Sequence, residues 1–194
     1  MNNISGEIVL VFHDGTHPDL REGQPCFFIE SAKDARLFEE PTEFIYARYI
    51  QTGSTPSIHT WSKAAYALKA WFQYLQALKE PKNWLDASRQ DRLDFRDAYL
   101  SSISPRTGQT YSTGGVSDSM TVVRNFYQYA KDRGWYFGDL GSTVEEEVIY
   151  VPFDSDALAH TRPLRLRKER DRDLPKSRPN AVIHPVPDQV SDAY

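Results

Sequence analysis

The sequence predicts a mainly α protein: a small bundle of about four helices, preceded by an N-terminal β-containing arm and followed by an extended basic linker. Three observations carry this. Residues 60–79 set Trp61, Ala64, Leu68, Trp71, Phe72, Leu75 and Leu78 on one stripe at helical spacing. Residues 116–132 do the same with Val116, Met120, Val123, Phe126, Tyr127 and Ala130. Segments 4–12 (ISGEIVLVF) and 25–30 (PCFFIE) are instead short, rich in β-branched and aromatic residues, and separated by the turn-rich HDGTHPDLREGQ. The expected units are an arm over 1–40, a helical domain over 41–137, and an acidic segment with a basic linker over 138–194.

Taken in order, the two strands come first. A short helix is expected from about Pro41 to Gln51, with Gly53 as its C-terminal cap. The loop STPSIH leads to the long helix, which Thr60 can cap and Pro81 ends. On its opposite face lie Lys63, Tyr66, Lys69 and Gln73. Ser88 and Asp91 form a capping-box start for a helix running to about Ser101. A polar loop, ISPRTGQTYSTGG, precedes the helix that runs from Val116 to Asp132 and stops at Gly134. Beyond Gly138 the periodicity weakens. STVEEEVIYVPF reads as a short strand or an acidic loop, and HTRPLRLRKERDRDLPKSRP as a linker, extended or disordered until bound.

Composition bounds the function. No apolar run approaches the roughly 20 residues that a membrane span needs, and the N-terminus lacks the basic region and cleavage site of a signal peptide. Cys26 is the single cysteine, so no internal disulfide can form, which fits a reducing cytoplasm. Net charge is −4, but its distribution is uneven. Residues 1–59 hold 4 Lys/Arg against 9 Asp/Glu, and 60–135 hold 11 against 7. Residues 136–159 hold 6 acids and no Lys or Arg, and 160–194 hold 8 Lys/Arg against 5 acids. Phosphate binding follows local potential, so the acidic total does not exclude DNA.

Several motifs together resemble the core-binding (SAM-like) domain of tyrosine recombinases of the phage-integrase type. They are the T-x-x-x-x-x-Y-x-L-x-x-W-F-x-Y-L helix (Thr60, Tyr66, Leu68, Trp71, Phe72, Tyr74, Leu75), the Trp84 turn, and the S-P-x-T-G-x-x-Y-S loop from Ser104 to Ser112. The V-R-N-F-Y-Q-Y-A-x-x-x-G-W run from Val123 to Trp135 completes them. The tail with LP at 174–175 and IHPVPDQV at 183–190 resembles the connector into that family's catalytic domain. The resemblance covers roughly residues 40–190 and rests on the order and spacing of motifs that are each weak alone.

The resemblance implies a DNA-binding N-terminal portion of a site-specific recombinase or integrase, serving DNA recombination and integration. It clamps double-stranded DNA, alone or with other recombinase protomers, without itself cutting it. The family's catalytic set is two Arg, a Lys, a His-x-x-Arg motif and a Tyr nucleophile, and this set lies in a separate domain. Here His160 is followed by Arg162, the wrong spacing, and Tyr194 is the last residue. Neither catalytic residues nor a cofactor or metal is expected. Asp118 and Ser119 depart from the family, standing where many relatives have basic residues.

The expected DNA contacts are Lys63, Tyr66 and Lys69 on the long helix and Ser112 and Thr113 at the start of the last helix. Ser117, Thr121, Arg124, Gln128 and Lys131 add a face spanning about 80°. Arg165, Arg167 and Lys168, with Arg162, Arg170 and Arg172, would track the backbone from the linker. Each has a plainer counterpart: the donor face is also what a solvated helix surface looks like, Tyr66 also suits packing, and Ser112 and Thr113 also suit a helix start. Asp91, Asp94 and Asp97 alternate with Arg89, Arg92 and Arg96, which favours surface ion pairs at i,i+3 and i,i+4 over an acid–base site. His13, Asp14, His17 and Asp19 favour a turn over a metal cluster. The alternative function is a truncated recombinase relative acting as a protein-interaction or regulatory module, which the acidic segments would suit.

Overall fold

A computed structural model describes residues 6–52, 57–104, 107–140, 144–149, 166–171 and 173–175. The architecture is mainly helical with a small antiparallel sheet at the N-terminal end. Strands β1 (Glu7–Phe12), β2 (Pro25–Glu30) and β3 (Ala35–Leu37) pair in that order, with Val9 opposite Phe28 and Ile29 opposite Arg36. Strand β3 was not expected: its three exposed residues carry no alternation to read.

Helix α1 (Glu39–Ile45) continues directly into a π-helical segment, Tyr46–Gln51. Helix α2 (Ile58–Ala77) begins earlier than Thr60 suggested. The Ser57 carbonyl accepts the Thr60 amide at 2.9 Å, so Thr60 lies within the first turn. A 3-10 turn (Trp84–Asp86) leads to α3 (Arg89–Ser101), whose capping box is present as expected. The Ser88 side chain accepts the Asp91 amide, and the Asp91 carboxylate accepts the Ser88 amide at 2.8 Å. Ser88→Ala is expected to cost about 1 kcal/mol, read by denaturant unfolding.

Helix α4 (Thr113–Asp132) starts three residues before Val116. Ser112 caps it by accepting the Gly115 amide at 3.1 Å, and the Gly114–Gly115 pair, which looks like loop, is carried as first turn. Its end is a Schellman motif. Gly134 sits at φ 72°, its amide donates to Lys131 and the Trp135 amide donates to Ala130.

The core is aromatic. Phe72 and Phe126 lie 5.5 Å apart, edge to face, at the crossing of α2 and α4. Phe27 of β2 meets Phe72 at 6.4 Å, and Phe44 of α1 meets Phe126 at 5.5 Å. Ile8, Phe27 and Ile29 are buried in the same cluster as the helix stripes, so the β arm packs against the bundle. The sequence-read stripes of α2 and α4 are buried, except that Leu78 falls just past α2 and is half-buried. Among the described residues no helix is long and apolar enough to cross a membrane.

The C-terminal part corrects one expectation. Residues 166–171, assigned to a linker extended or disordered until bound, form strand β5 (Leu166–Asp171), antiparallel to β4 (Val144–Ile149). The register sets Glu145 opposite Arg170 and Glu147 opposite Lys168, so the acidic run gives the basic run a partner strand of opposite sign. Gly53, Arg162, Arg165, Arg172 and the 183–190 segment lie outside the described residues.

Candidate nucleic-acid interface

Helix α2 buries Trp61, Ala64, Ala65, Ala67, Leu68, Trp71, Phe72 and Leu75, which turns Lys63 and Tyr66 to solvent. Tyr66 is 56% exposed and its ring lies 5.8 Å from that of Phe12 on β1. Lys63 stands one turn before it and half-buried Lys69 one turn after. Lys63 approaches Asp118 of α4 at 3.9 Å, with both side chains largely exposed, a geometry worth little in water. Among the described residues, no carboxylate forms an ion pair with Lys69.

The donor face of α4 is mostly committed to the chain itself. Ser112 spends its hydroxyl oxygen on the cap, and Thr113 is the first helical residue. The Thr121 hydroxyl donates back to the Ser117 carbonyl at 2.9 Å. Gln128 donates to Asp132 at 3.0 Å. Lys131 stands 4.0 Å from Asp139 and 5.9 Å over the Tyr136 ring. Arg124 lies 3.8 Å from the Asp171 carboxylate. Arg167 and Lys168 lie in β5, and Arg165 lies outside the described residues.

The main electrostatic feature was misread from sequence. Arg89 and Arg92 of α3 reach across to Asp171 and Asp173. Arg89 holds Asp173 bidentately, Nε to Oδ2 at 3.1 Å and Nη2 to Oδ1 at 2.8 Å. Arg92 is fully buried, donating to Asp171 and, at 3.3 Å, to Asp173. Arg96 donates to the Asp173 carbonyl at 3.1 Å, besides its exposed neighbour Asp97 at 2.7 Å. Asp173 closes the arrangement with its amide, which donates to Asp171 Oδ1 at 3.0 Å. The available sequence signal was position: Arg92 shares the α3 stripe with Phe95 and Tyr99, three and seven residues on. Beside this cluster Arg92, Arg124, Tyr127, Gln128, Lys131, Asp139 and Leu140 line a cleft of ≈ 20 Å³, room for about one water.

The Arg89 hydrogen bonds hold the Asp173 carboxyl below its ordinary pKa, aided by the charges of Arg92 and Arg96. Burial pushes the Asp91 carboxyl up, but hydrogen bonds from Lys82 and Ser88 outweigh it and leave its pKa lowered as well. A depressed folded-state pKa stabilises above the unfolded value and loses that contribution as pH falls through the folded one. The contribution of these two carboxyls to folding stability is therefore expected to be present above the ordinary value of 3.8 and to be lost as the pH falls below it. Urea unfolding at pH 6 and pH 3 checks this; equal midpoints would contradict it.

The HDGTHPD segment is a turn. The His13 ring accepts the Gly15 amide at 3.1 Å, and Asp14 accepts both the Thr16 amide and its hydroxyl. Among the described residues, no three His, Cys, Asp or Glu side chains are gathered to hold a metal ion. No family model, curated protein or solved structure matches the chain.

Proposed function

We propose that this chain is a duplex-DNA-binding helical module of the kind the sequence resembles, the core-binding part of a tyrosine recombinase, which holds DNA and does not cut it. The observation that carries the reading is the outer side of α2. Lys63, Tyr66 and Lys69 project there, opposite the buried stripe, with no buried carboxylate paired to either lysine among the described residues. Two flexible cations one turn either side of an exposed ring offer phosphate neutralisation and an aromatic contact. The start of α4 adds main-chain amides and Ser117, while Arg124 and Gln128 are already engaged within the chain and Lys131, 4.0 Å from exposed Asp139, is held no more firmly than Lys63. The interface is thus narrower than the sequence implied. By the resemblance, the further partners would be other recombinase protomers.

Fluorescence anisotropy with a labelled duplex at two salt concentrations tests the reading. With at least the two phosphates facing Lys63 and Lys69 neutralised, log K should fall against log salt with a slope of about −1.8 or steeper. Absence of binding at low salt would end it.

The second reading, a protein-interaction module, is favoured by Phe137, which is 89% exposed between buried Tyr136 and exposed Gly138. A mostly apolar contact through Phe137 would show little salt dependence and would be lost in Phe137→Ala.

A further inference from the structure

Four guanidinium groups, from Arg89, Arg92 and Arg96 on α3 and Arg124 on α4, converge on one short acidic stretch of the chain. Asp171 and Asp173 supply its carboxylates, both nearly fully buried. The same planar, forked donors that grip a carboxylate bidentately also grip a phosphodiester, and arginine is suited to both for one geometric reason. The two segments differ in how firmly they belong to the fold. Helices α3 and α4 pack into the aromatic core through Phe95, Phe126 and Tyr127. Strands β4 and β5 pack on each other and make no comparable backbone packing with any other element among the described residues. A lone two-stranded ribbon is marginal by itself. Among the described residues, the side chains that tie this ribbon to the bundle include half-buried Leu174 and the two aspartates held by the arginines. Desolvation offsets much of the attraction in a buried ion pair, but taking the aspartates away would leave buried Arg92 without these counter-charges, so the strap yields only to another anion.

We propose that Arg89, Arg92, Arg96 and Arg124 form a second phosphodiester-binding site, which Asp171 and Asp173 occupy as an internal mimic until nucleic acid displaces them. In the closed state the two carboxylates of the acidic strap offset two of the four guanidinium charges, and Arg92 is hidden. When duplex DNA binds, phosphates take the places of the two carboxylates, the strap lifts with its ribbon, and the α4 face from Ser117 to Arg124 becomes continuous with α3. This inference rests on the DNA-binding reading and adds to it a regulated second contact.

The test uses the full chain. Asp171→Asn/Asp173→Asn keeps the shape of the strap and removes its charge. The double variant is expected to bind duplex DNA at least about tenfold more tightly at low salt, with a salt slope steeper by about 2 to 3, one unit of slope per added phosphate. Adding Arg89→Gln to it should remove much of that gain. Hydrogen exchange on the unaltered protein is the second arm, and it decides the matter if the variant does not fold. Duplex DNA should deprotect the Asp173 and Leu174 amides and the β5 backbone. Equal or weaker binding by a folded double variant, or unchanged or increased protection in the unaltered protein, overturns the proposal and leaves the aspartates as a structural clasp. Binding by the unaltered protein without gain or deprotection removes only the strap. No binding by either protein removes the DNA reading and the strap together.

Discussion

Trp71→Ala is expected to lower the unfolding free energy by about 3–5 kcal/mol. Trp71 is fully buried at the centre of the bundle, with its ring 5.2 Å from Phe95, 5.9 Å from Tyr74 and 6.1 Å from Tyr127. It also begins a buried hydrogen-bond chain. Its Nε1 donates to the Tyr127 hydroxyl at 3.1 Å, and that hydroxyl donates to the Trp84 carbonyl at 2.8 Å. The substitution therefore opens a cavity between α2, α3 and α4 and strips the Tyr127 oxygen of its donor. For a domain whose total stability is about 5–15 kcal/mol, that is a large fraction. Denaturant titration by circular dichroism reads it; a loss under about 1 kcal/mol would mean the site collapses around the cavity.

The second large effect concerns function. On the DNA-binding reading, Lys63→Glu/Lys69→Glu is expected to weaken duplex affinity by on the order of 10- to 100-fold at low salt, and to flatten the salt slope by about 2. Two phosphate neutralisations are lost and two repulsions gained, on a face whose other side carries the core stripe of α2. Stability should move by no more than about 0.5 kcal/mol, since Lys63 is exposed and neither lysine has a buried partner among the described residues. Anisotropy and thermal melts read on one preparation separate the two. Unchanged affinity would take α2 out of the interface.

Much of the fold was legible because it is written in local repeats. The α2 and α4 stripes follow from apolar spacing alone, and the α3 start follows from Ser88 and Asp91 three residues apart. Strand β2 came out at its observed bounds, since PCFFIE is short, apolar and flanked by turn residues. What failed was non-local. Strand β3 exists because β2 offers it an edge, not because ARL asks for it. Strand β5 reads as a charged linker until an acidic strand far from it in sequence supplies a register. The candidate site shows the same division. Lys63 and Tyr66 reach solvent by helix geometry, whereas Arg124 and Gln128 found partners within the chain. In the case of Arg124 that partner lies on β5.

By itself, the sequence determined the mainly α class, the helices with their buried sides, and the uneven placement of charge, because each depends on residues within a few turns of one another. Only the tertiary structure decided that Arg92 is buried, that Arg89 and Arg92 answer Asp173 and Asp171, and that the basic tail returns as a strand against an acidic one. The reason is electrostatic. A buried charge is tolerable only beside its counter-charge, and for Arg92 that counter-charge lies about 80 residues away, at |i−j| of 79 and 81. Nothing in the local pattern of α3 identifies such a partner.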